Sequence, residues 1–315
     1  MVPKPPPREG QLGFLYLPPY RIQGVSVAGE EAVVHVPELD IAFDVGLCPR
    51  PILTAGTVCI SHAHMDHIAG LPYWLSQRFF QKLGAGRVLC HPMLVKPLEA
   101  MMGAWVELER QKTPHEIIGV APDSDFQLRP NLFVRAIEVD HSPPSLGFVV
   151  LERRSKLREE FCGLPQDRLR ELRVSGTEIT KTLEIPLVAY TGDTKIGPFL
   201  LRDEFVNAHT IVTECTFFEP EHQERARIGS HLHIEDLRSL IQTWKAPNIV
   251  VVHVSRRTNM SYAREKLAEV AGEHAGRVHL LMDHRTNRLR YEQQVALDLE
   301  KNSQHRSEDV VVDPK

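Results

Sequence analysis

Short apolar runs separated by turn residues dominate the first half of the chain. Within residues 20–46, three runs are separated by Gly-Glu and Pro-Glu pairs, a pattern typical of strands joined by tight turns. Residues 58–60 form a shorter, wholly apolar run, as expected for a strand that is buried on both faces. Apolar residues at helical spacing follow and predict helices over residues 71–83 and 94–109.

The second half of the chain contains five further strand-like segments. Residues 131–139 alternate between apolar and polar positions, whereas residues 148–151, 185–190, 210–213 and 248–252 are almost continuously apolar. Several of these runs end directly in an ionisable residue. Because strands and helices alternate in both halves, the pattern predicts a layered α/β protein.

Three stretches depart from this pattern and set the predicted domain limits. Residues 1–19 begin with the proline-rich MVPKPPPREG and are predicted to be a flexible segment, while residues 292–315 form a polar tail. The main domain then spans residues 20–291. Within it, residues 152–184 are strongly charged and predict a helical arm insertion that contacts a substrate; a merely solvent-exposed helix is the alternative.

The composition is that of an ordinary globular protein. The 315 residues are 42% hydrophobic and 25% charged, with a formal net charge of −4, so no overall basic field attracts nucleic acid, although a local arginine patch is sufficient to bind phosphates. The five cysteines lack CxxC spacing, which argues against disulfides and a thiolate zinc site. No apolar run approaches the ~20 residues of a membrane span, and no secretory signal precedes the first strand. We therefore expect a cytoplasmic protein without a membrane partner.

The segment TVCISHAHMDHIAG, residues 57–70, carries the strongest chemical signal. Four metal-competent side chains, those of His62, His64, Asp66 and His67, lie within six positions after a buried strand. His62 and His64 project to the same side if the chain stays extended, because side-chain direction repeats every two residues. Asp66 and His67 need a turn and could face a second, nearby cation. A polar turn that merely contains three histidines is the alternative.

Four later strands deliver further ionisable groups at their ends, namely His141, Asp193, Glu214 and His253. In layered α/β proteins, the carboxyl ends of strands are where binding sites form. Sorted by chemistry, one cation site would hold His62, His64 and His141, and a second Asp66, His67 and His253. Asp193 could bridge the two; a capping aspartate is its alternative role.

Imidazole and carboxylate ligands without thiolates suit two Zn²⁺ ions, with Mn²⁺ or Fe²⁺ as alternatives. Two such ions ~3.5–4 Å apart lower the pKa of a shared water towards ~7 and stabilise charge on the attacked group. The residues thus predict a dinuclear hydrolase, with bridging hydroxide as the nucleophile.

Residues downstream of the strands favour a phosphodiester substrate. A carboxylate such as Glu214 can orient His231 and raise its basicity, which makes a general acid for a poor alkoxide leaving group. Ser255 and Arg257 follow His253 closely, and the guanidinium fork matches phosphate oxygens. A surface ion pair is the alternative role for the arginine.

Together these motifs resemble the metallo-β-lactamase superfamily and, within it, short-form ribonuclease Z, the tRNA 3′-processing endonuclease. The resemblance covers about residues 21–290 and rests on segments that follow the family's order: SHAHMDH with IAGLP, DHSPPSLGF, YTGDT, ECTF with a downstream GSHLHI, and HVSRR. The sequence departs from the family at GVSVAG, where a glycine-rich loop is common, and in the arm, which lacks a Gly-Pro-rich hairpin.

The resemblance implies an αββα sandwich: two mixed sheets face to face, helices outside and metals at one edge. It places seven residues on the family's zinc ligands: His62, His64, Asp66, His67, His141, Asp193 and His253. Asp66 would also accept a proton, and His231 rather than His233, supported by Glu214, would be the second catalytic histidine. Arg257, with Ser255 beside it, would contact substrate phosphate.

The family also works as a homodimer in which an arm holds the tRNA body. We therefore expect hydrolysis of pre-tRNA just 3′ of the discriminator base, which removes the 3′ trailer. The first alternative is a hydrolase of a small phosphodiester, thioester or lactone on the same scaffold. The second is an inactive scaffold that binds RNA or a protein.

Overall fold

The computed structural model describes residues 2–3 and 12–308, and the described strands form two seven-stranded mixed sheets. In each sheet, neighbouring strands are also consecutive along the chain. The strands of the first sheet are β1 (Gly13–Leu17), β2 (Tyr20–Val27), β3 (Glu31–Val36), β4 (Ile41–Phe43), β5 (Thr57–Cys59), β6 (Gly86–Cys90) and β7 (His115–Gly119). The strands of the second sheet are β8 (Asp125–Arg129), β9 (Leu132–Glu138), β10 (Leu146–Leu157), β11 (Thr180–Tyr190), β12 (Thr210–Glu214), β13 (Asn248–Val252) and β14 (Val278–Leu280).

Both sheets change from antiparallel to parallel pairing at their fourth strand. β1 to β4 pair antiparallel and β4 to β7 parallel. Likewise, β8 to β11 pair antiparallel and β11 to β14 parallel. The parallel strands bring their carboxyl ends to one edge of each sheet, which is where the ionisable residues follow them.

The two sheets pack face to face over a shared apolar core. Phe43 of β4 and Tyr190 of β11 stack with ring centroids 4.9 Å apart, and Phe148 and Val212 of the second sheet belong to the same buried cluster. Both sheets contribute apolar side chains to this core, because most of their parallel strands are covered on both faces.

Helices cover the outer face of each sheet, and the αββα sandwich predicted from the sequence is confirmed. The described residues form nine α-helices: α1 (Met65–Ile68), α2 (Leu71–Phe80), α3 (Pro92–Glu109), α4 (Gln166–Val174), α5 (Asp203–Val206), α6 (Gln223–Gly229), α7 (Ile234–Thr243), α8 (Met260–Ala271) and α9 (His284–Glu308). Trp74 of α2 packs on the outside of the first sheet, and Leu237 of α7 on the outside of the second. No helix in the described ranges is both long and apolar enough to cross a membrane.

The charged arm differs from the expected helical insertion, because most of it is an extended hairpin. β10 and β11 continue their antiparallel pairing outward as far as Leu157 and Thr180, and only α4 is α-helical between them. Charged residues on these strands are held by cross-strand ion pairs, such as that between Arg153 and Glu184 at 2.8 Å. Charge density led the sequence interpretation towards helix, whereas strand pairing decided the structure.

The predicted boundaries at both ends also require correction. Part of the proposed flexible segment 1–19 lies outside the described residues, but Gly13–Leu17 form β1, whose Leu15 and Leu17 are buried. The polar tail begins inside α9, which continues to Glu308; residues 309–315 lie outside the described part. Tyr291 of α9 packs edge-on against Phe14 of β1 with ring centroids 5.7 Å apart, so the two ends stabilise each other.

Candidate metal centre

The histidine-rich segment begins where β5 leaves the sheet. His62 lies in extended chain just after the strand, and His64 is the residue before α1, which carries Asp66 and His67. The segment folds tightly against the turn after β4: a Cβ on Gly46 would lie 1.6 Å from the Asp66 carbonyl oxygen. Only glycine permits this close approach, so the turn after β4 fixes the position of α1.

Three of the ligand candidates, all histidines, lie close together. His62 Nε2 lies 3.0 Å from His64 Nδ1, and His141 Nε2 lies 3.3 Å from the same atom. The other nitrogen of His141, Nδ1, lies 3.0 Å from the Ser230 carbonyl oxygen, which fixes the ring and leaves Nε2 facing the cluster. Three imidazole nitrogens at this spacing match the donor set of a single cation.

The second group forms around Asp193. Its Oδ2 atom lies 3.2 Å from His67 Nε2 and 3.3 Å from His253 Nε2, and 3.9 Å from His62 Nε2 in the first group. Asp66 Oδ2 lies 3.6 Å from both His67 Nε2 and His253 Nε2. The Asp193 carboxylate therefore lies between the two histidine groups, as a bridging ligand would.

Two orphaned nitrogens test whether a metal fits this cluster. His67 Nε2 and His253 Nε2 are buried and have no hydrogen-bond partner within residues 2–3 and 12–308, although an unsatisfied buried polar atom costs free energy. Both point at carboxylate oxygens in a cluster of imidazole and carboxylate donors. These residues fit a divalent metal centre, since a cation would satisfy the orphaned nitrogens and carboxylates together.

Burial and charge set the protonation of the ligands. Burial, together with neighbouring imidazoles, lowers the pKa of His62 to about 2, so its nitrogens remain unprotonated as metal ligation requires. Burial alone would raise the pKa of Asp66, but contacts with His253 and His67 outweigh it and lower the value to about 2. Similar contacts lower the pKa of Asp193 despite its burial, so both carboxylates are ionised.

A supporting residue that the sequence interpretation missed is Asp44, which follows β4 and is fully buried. Its carboxylate accepts hydrogen bonds from the Ser61 backbone N–H (2.7 Å) and hydroxyl (2.8 Å), from His67 Nδ1 (2.8 Å) and from the Tyr190 hydroxyl (2.7 Å). Asp44 thereby holds His67 in the tautomer whose Nε2 faces the cluster. Its position could have identified it in the sequence, since Asp44 is an acidic residue directly after an apolar strand.

His231 and Glu214 form an ion pair at the rim of the cluster. His231 Nδ1 donates to Glu214 Oε1 at 2.9 Å, and the ring of His231 stacks on that of His253 with centroids 5.4 Å apart. Burial would lower the pKa of His231, but the Glu214 charge and hydrogen bond outweigh this and raise it to about 9. The pair therefore holds a protonated imidazole beside the ligand candidates, which is the protonation state that a general acid needs.

Thr216 connects this pair to the ligands and was also not identified from the sequence. Its hydroxyl donates to Glu214 Oε2 at 2.7 Å and accepts from His253 Nδ1 at 2.9 Å. His233, in contrast, is the N-cap of α7, and its Nε2 lies 3.0 Å from the Glu219 carbonyl oxygen. His231 thus lies in the cluster and His233 lies outside it.

The phosphate-contact candidates lie on the turn after β13. The Ser255 backbone N–H donates to the Thr216 carbonyl oxygen at 3.2 Å, which fixes the turn beside the Glu214 segment. The Arg257 side chain is exposed, whereas the neighbouring Arg256 pairs with Glu30.

Comparisons with known proteins show which family this chain belongs to. Residues 49–254 match the model of the beta-lactamase superfamily domain. The chain is 30% identical over 266 residues to a protein of Arabidopsis thaliana named tRNase Z TRZ1, covering 83% of this chain and 95% of the relative. It is 32% identical over 164 residues to the nuclear ribonuclease Z of Triticum aestivum, covering 52% of this chain and 93% of that relative.

Two solved structures share the fold. The metallo-beta-lactamase fold protein YhfI from Bacillus subtilis superposes with a TM-score of 0.55 at 15% identity and covers 85% of this chain and 95% of its own. The short form of human tRNase Z superposes with a TM-score of 0.53 at 16% identity, and the match covers 78% of this chain and 93% of the human chain. At these identities the superpositions support the architecture, and the sequence relatives support the family.

Proposed function

Because this chain belongs to the ribonuclease Z family of the beta-lactamase superfamily, we propose that it is a metal-dependent endoribonuclease that removes 3′ trailers from pre-tRNA. The observation that carries this proposal is the Glu214–His231 pair at 2.9 Å beside the seven clustered ligand candidates. A protonated imidazole is needed to expel the 3′-oxygen of a ribose, which is a poor leaving group, whereas thioester cleavage scarcely needs one.

The ligand candidates would hold two Zn²⁺ ions, with Mn²⁺ or Fe²⁺ as alternatives. His62, His64 and His141 would bind one ion, and a second set, Asp66, His67 and His253, would bind the other, with Asp193 shared. When bound, such ions make hydroxide available near neutral pH and stabilise charge on the phosphate.

The chain's own residues would then move two protons. The Asp66 carboxylate would accept a proton from the attacking water, for which its ionised state is suited. His231 would deliver a proton from Nε2 to the departing 3′-oxygen, because Nδ1 is committed to Glu214. Glu214 holds the ring in place through Nδ1 and is itself fixed by the Thr194 backbone N–H at 2.7 Å.

Substrate binding and assembly belong to the same proposal. Arg257 would pair with a substrate phosphate, since its guanidinium is exposed, and Ser255 would donate to the same group. The hairpin of β10 and β11 would hold the tRNA body, and two copies would form a homodimer in the cytoplasm. Light scattering coupled to gel filtration tests the dimer, and a monomer at micromolar concentration would contradict it.

The experiment incubates metal-replete protein with a 3′-extended pre-tRNA and maps the product ends. We expect cleavage just 3′ of the discriminator base. His231→Ala should slow cleavage by about 10²–10⁴-fold at near-normal metal content, while the control His274→Ala, a surface histidine in the turn after α8, should not. Unchanged turnover in His231→Ala would remove that residue from the mechanism.

Two further substrates separate the alternatives. Bis-p-nitrophenyl phosphate tests for a general phosphodiesterase and S-lactoylglutathione for a thioesterase. Turnover of the thioester with no cleavage of pre-tRNA would replace the proposed function with that of a small-molecule hydrolase. A metal assay that finds no bound ion, with no turnover of any substrate, would favour the inactive scaffold.

A further inference from the structure

A second cleft lies beside the edge strand β14 and shares no lining residue with the metal cluster. It has a volume of about 480 Å³ and is lined by residues of α8, β14 and the first half of α9. Its lining combines apolar residues, including Leu267 and Val278, with polar and charged side chains. A cleft of this size accommodates a ligand as large as a nucleotide.

The charges in the cleft do not balance. Arg264 pairs with Asp283, with Nε 2.5 Å from Oδ2 and Nη2 3.2 Å from Oδ1, so these two residues neutralise each other. Arg290 has no carboxylate partner among the described residues. The lining residues therefore carry one uncompensated positive charge.

The environment of Arg290 makes this imbalance costly. Its Nε atom is buried and has no hydrogen-bond partner in the described part of the chain. Its Nη1 atom lies 3.1 Å and 3.3 Å from the two ring nitrogens of His279. Burial and the Arg290 charge lower the pKa of His279 to about 3, so this neighbour is neutral and offers no negative charge. A half-buried guanidinium without a counter-ion lowers the stability of the fold.

We propose that the cleft between α8, β14 and α9 binds a small phosphate-bearing anion, with Arg290 as its principal ligand. The phosphate would accept from the terminal Nη atoms of Arg290, in the paired geometry that guanidinium groups make with phosphates, because the Nε atom itself is buried. Arg264 would add a second positive group at the rim. In a nucleoside monophosphate, the nucleoside would cover the apolar lining residues. The site is independent of the proposed tRNA cleavage.

The test measures binding of AMP, adenosine and inorganic phosphate to the metal-replete full-length protein by isothermal titration calorimetry. We expect AMP or inorganic phosphate to bind, and adenosine, which lacks the charge, to bind at least about tenfold more weakly. Tighter binding of AMP than of phosphate assigns a nucleotide, and equal binding assigns phosphate itself. No heat with either anion, or equal binding of adenosine and AMP, would overturn the proposal.

Variants place the binding within the molecule. Arg290→Gln should weaken anion binding at least about tenfold, while the control Arg288→Gln, which removes an exposed arginine paired with Glu292 on the same helix, should not. Asp193→Asn should retain binding, because Asp193 belongs to the metal cluster. Loss of binding in Asp193→Asn with retention in Arg290→Gln would place the anion at the metals and refute the cleft.

Thermal unfolding distinguishes an arginine that binds a ligand from one that only stabilises the fold. Without ligand, Arg290→Gln should melt at the same or a higher temperature than the parent protein, because an unpaired charge is removed. With ligand, the parent should gain melting temperature and the variant should not. A lower melting temperature of the unliganded variant would identify Arg290 as a structural residue and overturn the proposal.

Discussion

The substitution Asp44→Asn offers a sharp test of how the fold prepares the metal cluster. Asp44 has φ of 56°, a left-handed conformation that asparagine also adopts, so the backbone need not change. Its Oδ1 accepts from the Ser61 backbone N–H and its Oδ2 from three donors: the Ser61 hydroxyl, His67 Nδ1 and the Tyr190 hydroxyl. In the Asn variant, an amide nitrogen replaces one of these two oxygens. It is itself a donor, so at either position it faces groups that donate to the wild-type carboxylate.

The less costly orientation keeps the amide oxygen on the Ser61 N–H and places the amide nitrogen at Oδ2. The Ser61 and Tyr190 hydroxyls can rotate to accept, but His67 Nδ1 can accept only by losing its proton. The proton then resides on Nε2, the atom that faces Asp193 at 3.2 Å, and a protonated nitrogen cannot bind a metal.

We expect Asp44→Asn to weaken metal binding at the site that contains His67 by about 10–100-fold, as loss of a group that orients a ligand does. The fold should also lose about 1.5–3 kcal/mol for each charge-assisted hydrogen bond that is not replaced. Chelator competition followed by mass-spectrometric metal analysis measures the affinity and the number of bound ions. Urea unfolding measures the stability.

Tyr190→Phe is the matched control. It removes one donor to Asp44 but keeps the carboxylate and therefore the His67 tautomer. Metal affinity in this variant should stay within a few-fold of the parent value, although some stability is lost. Unchanged metal affinity in Asp44→Asn, or an equal loss in both variants, would refute the argument that Asp44 acts through the protonation of His67.

Three further predictions follow from packing and burial. Phe148→Ala, between the two sheets, should lower the free energy of unfolding by about 3–5 kcal/mol in urea titrations, and a loss below 1 kcal/mol would contradict the packing. Gly46→Ala should reduce both metal content and melting temperature, because its Cβ would overlap the Asp66 carbonyl; unchanged metal content would contradict this. Burial lowers the pKa of both His35 and His279 to about 3, so each stays neutral in the fold while the unfolded chain binds a proton below pH ~6.5. Their stabilising contribution is complete above pH ~6.5 and is lost as the pH falls, by about 1.4 kcal/mol per unit and per histidine. Between pH 6.5 and about 5, the free energy of unfolding of the double variant His35→Gln/His279→Gln should therefore fall less steeply than that of the parent protein. Equal slopes in the two proteins would refute the argument that these histidines stay neutral in the fold.

The sequence by itself determined the fold class and the positions at which the ligand candidates arise. The fold class is confirmed. Apolar runs that end in His62, Asp193 and His253 could be identified without coordinates, because strand burial leaves a local pattern and polar groups follow at the strand end. The spacing of His62, His64, Asp66 and His67 is likewise local. Their roles as ligands stay predictions that the metal assays test.

Contacts between distant segments were decided only by the tertiary structure. Asp44 and Tyr190 are 146 positions apart, and no local sequence pattern predicts the hydrogen bond between them. The arm appeared helical from its charge, yet pairing of β10 with β11 made it a hairpin, because strand formation depends on the partner strand more than on intrinsic propensity. Arg290 is an ordinary arginine in the sequence; only the fold places it on α9 beside His279 of β14, with no carboxylate partner among the described residues.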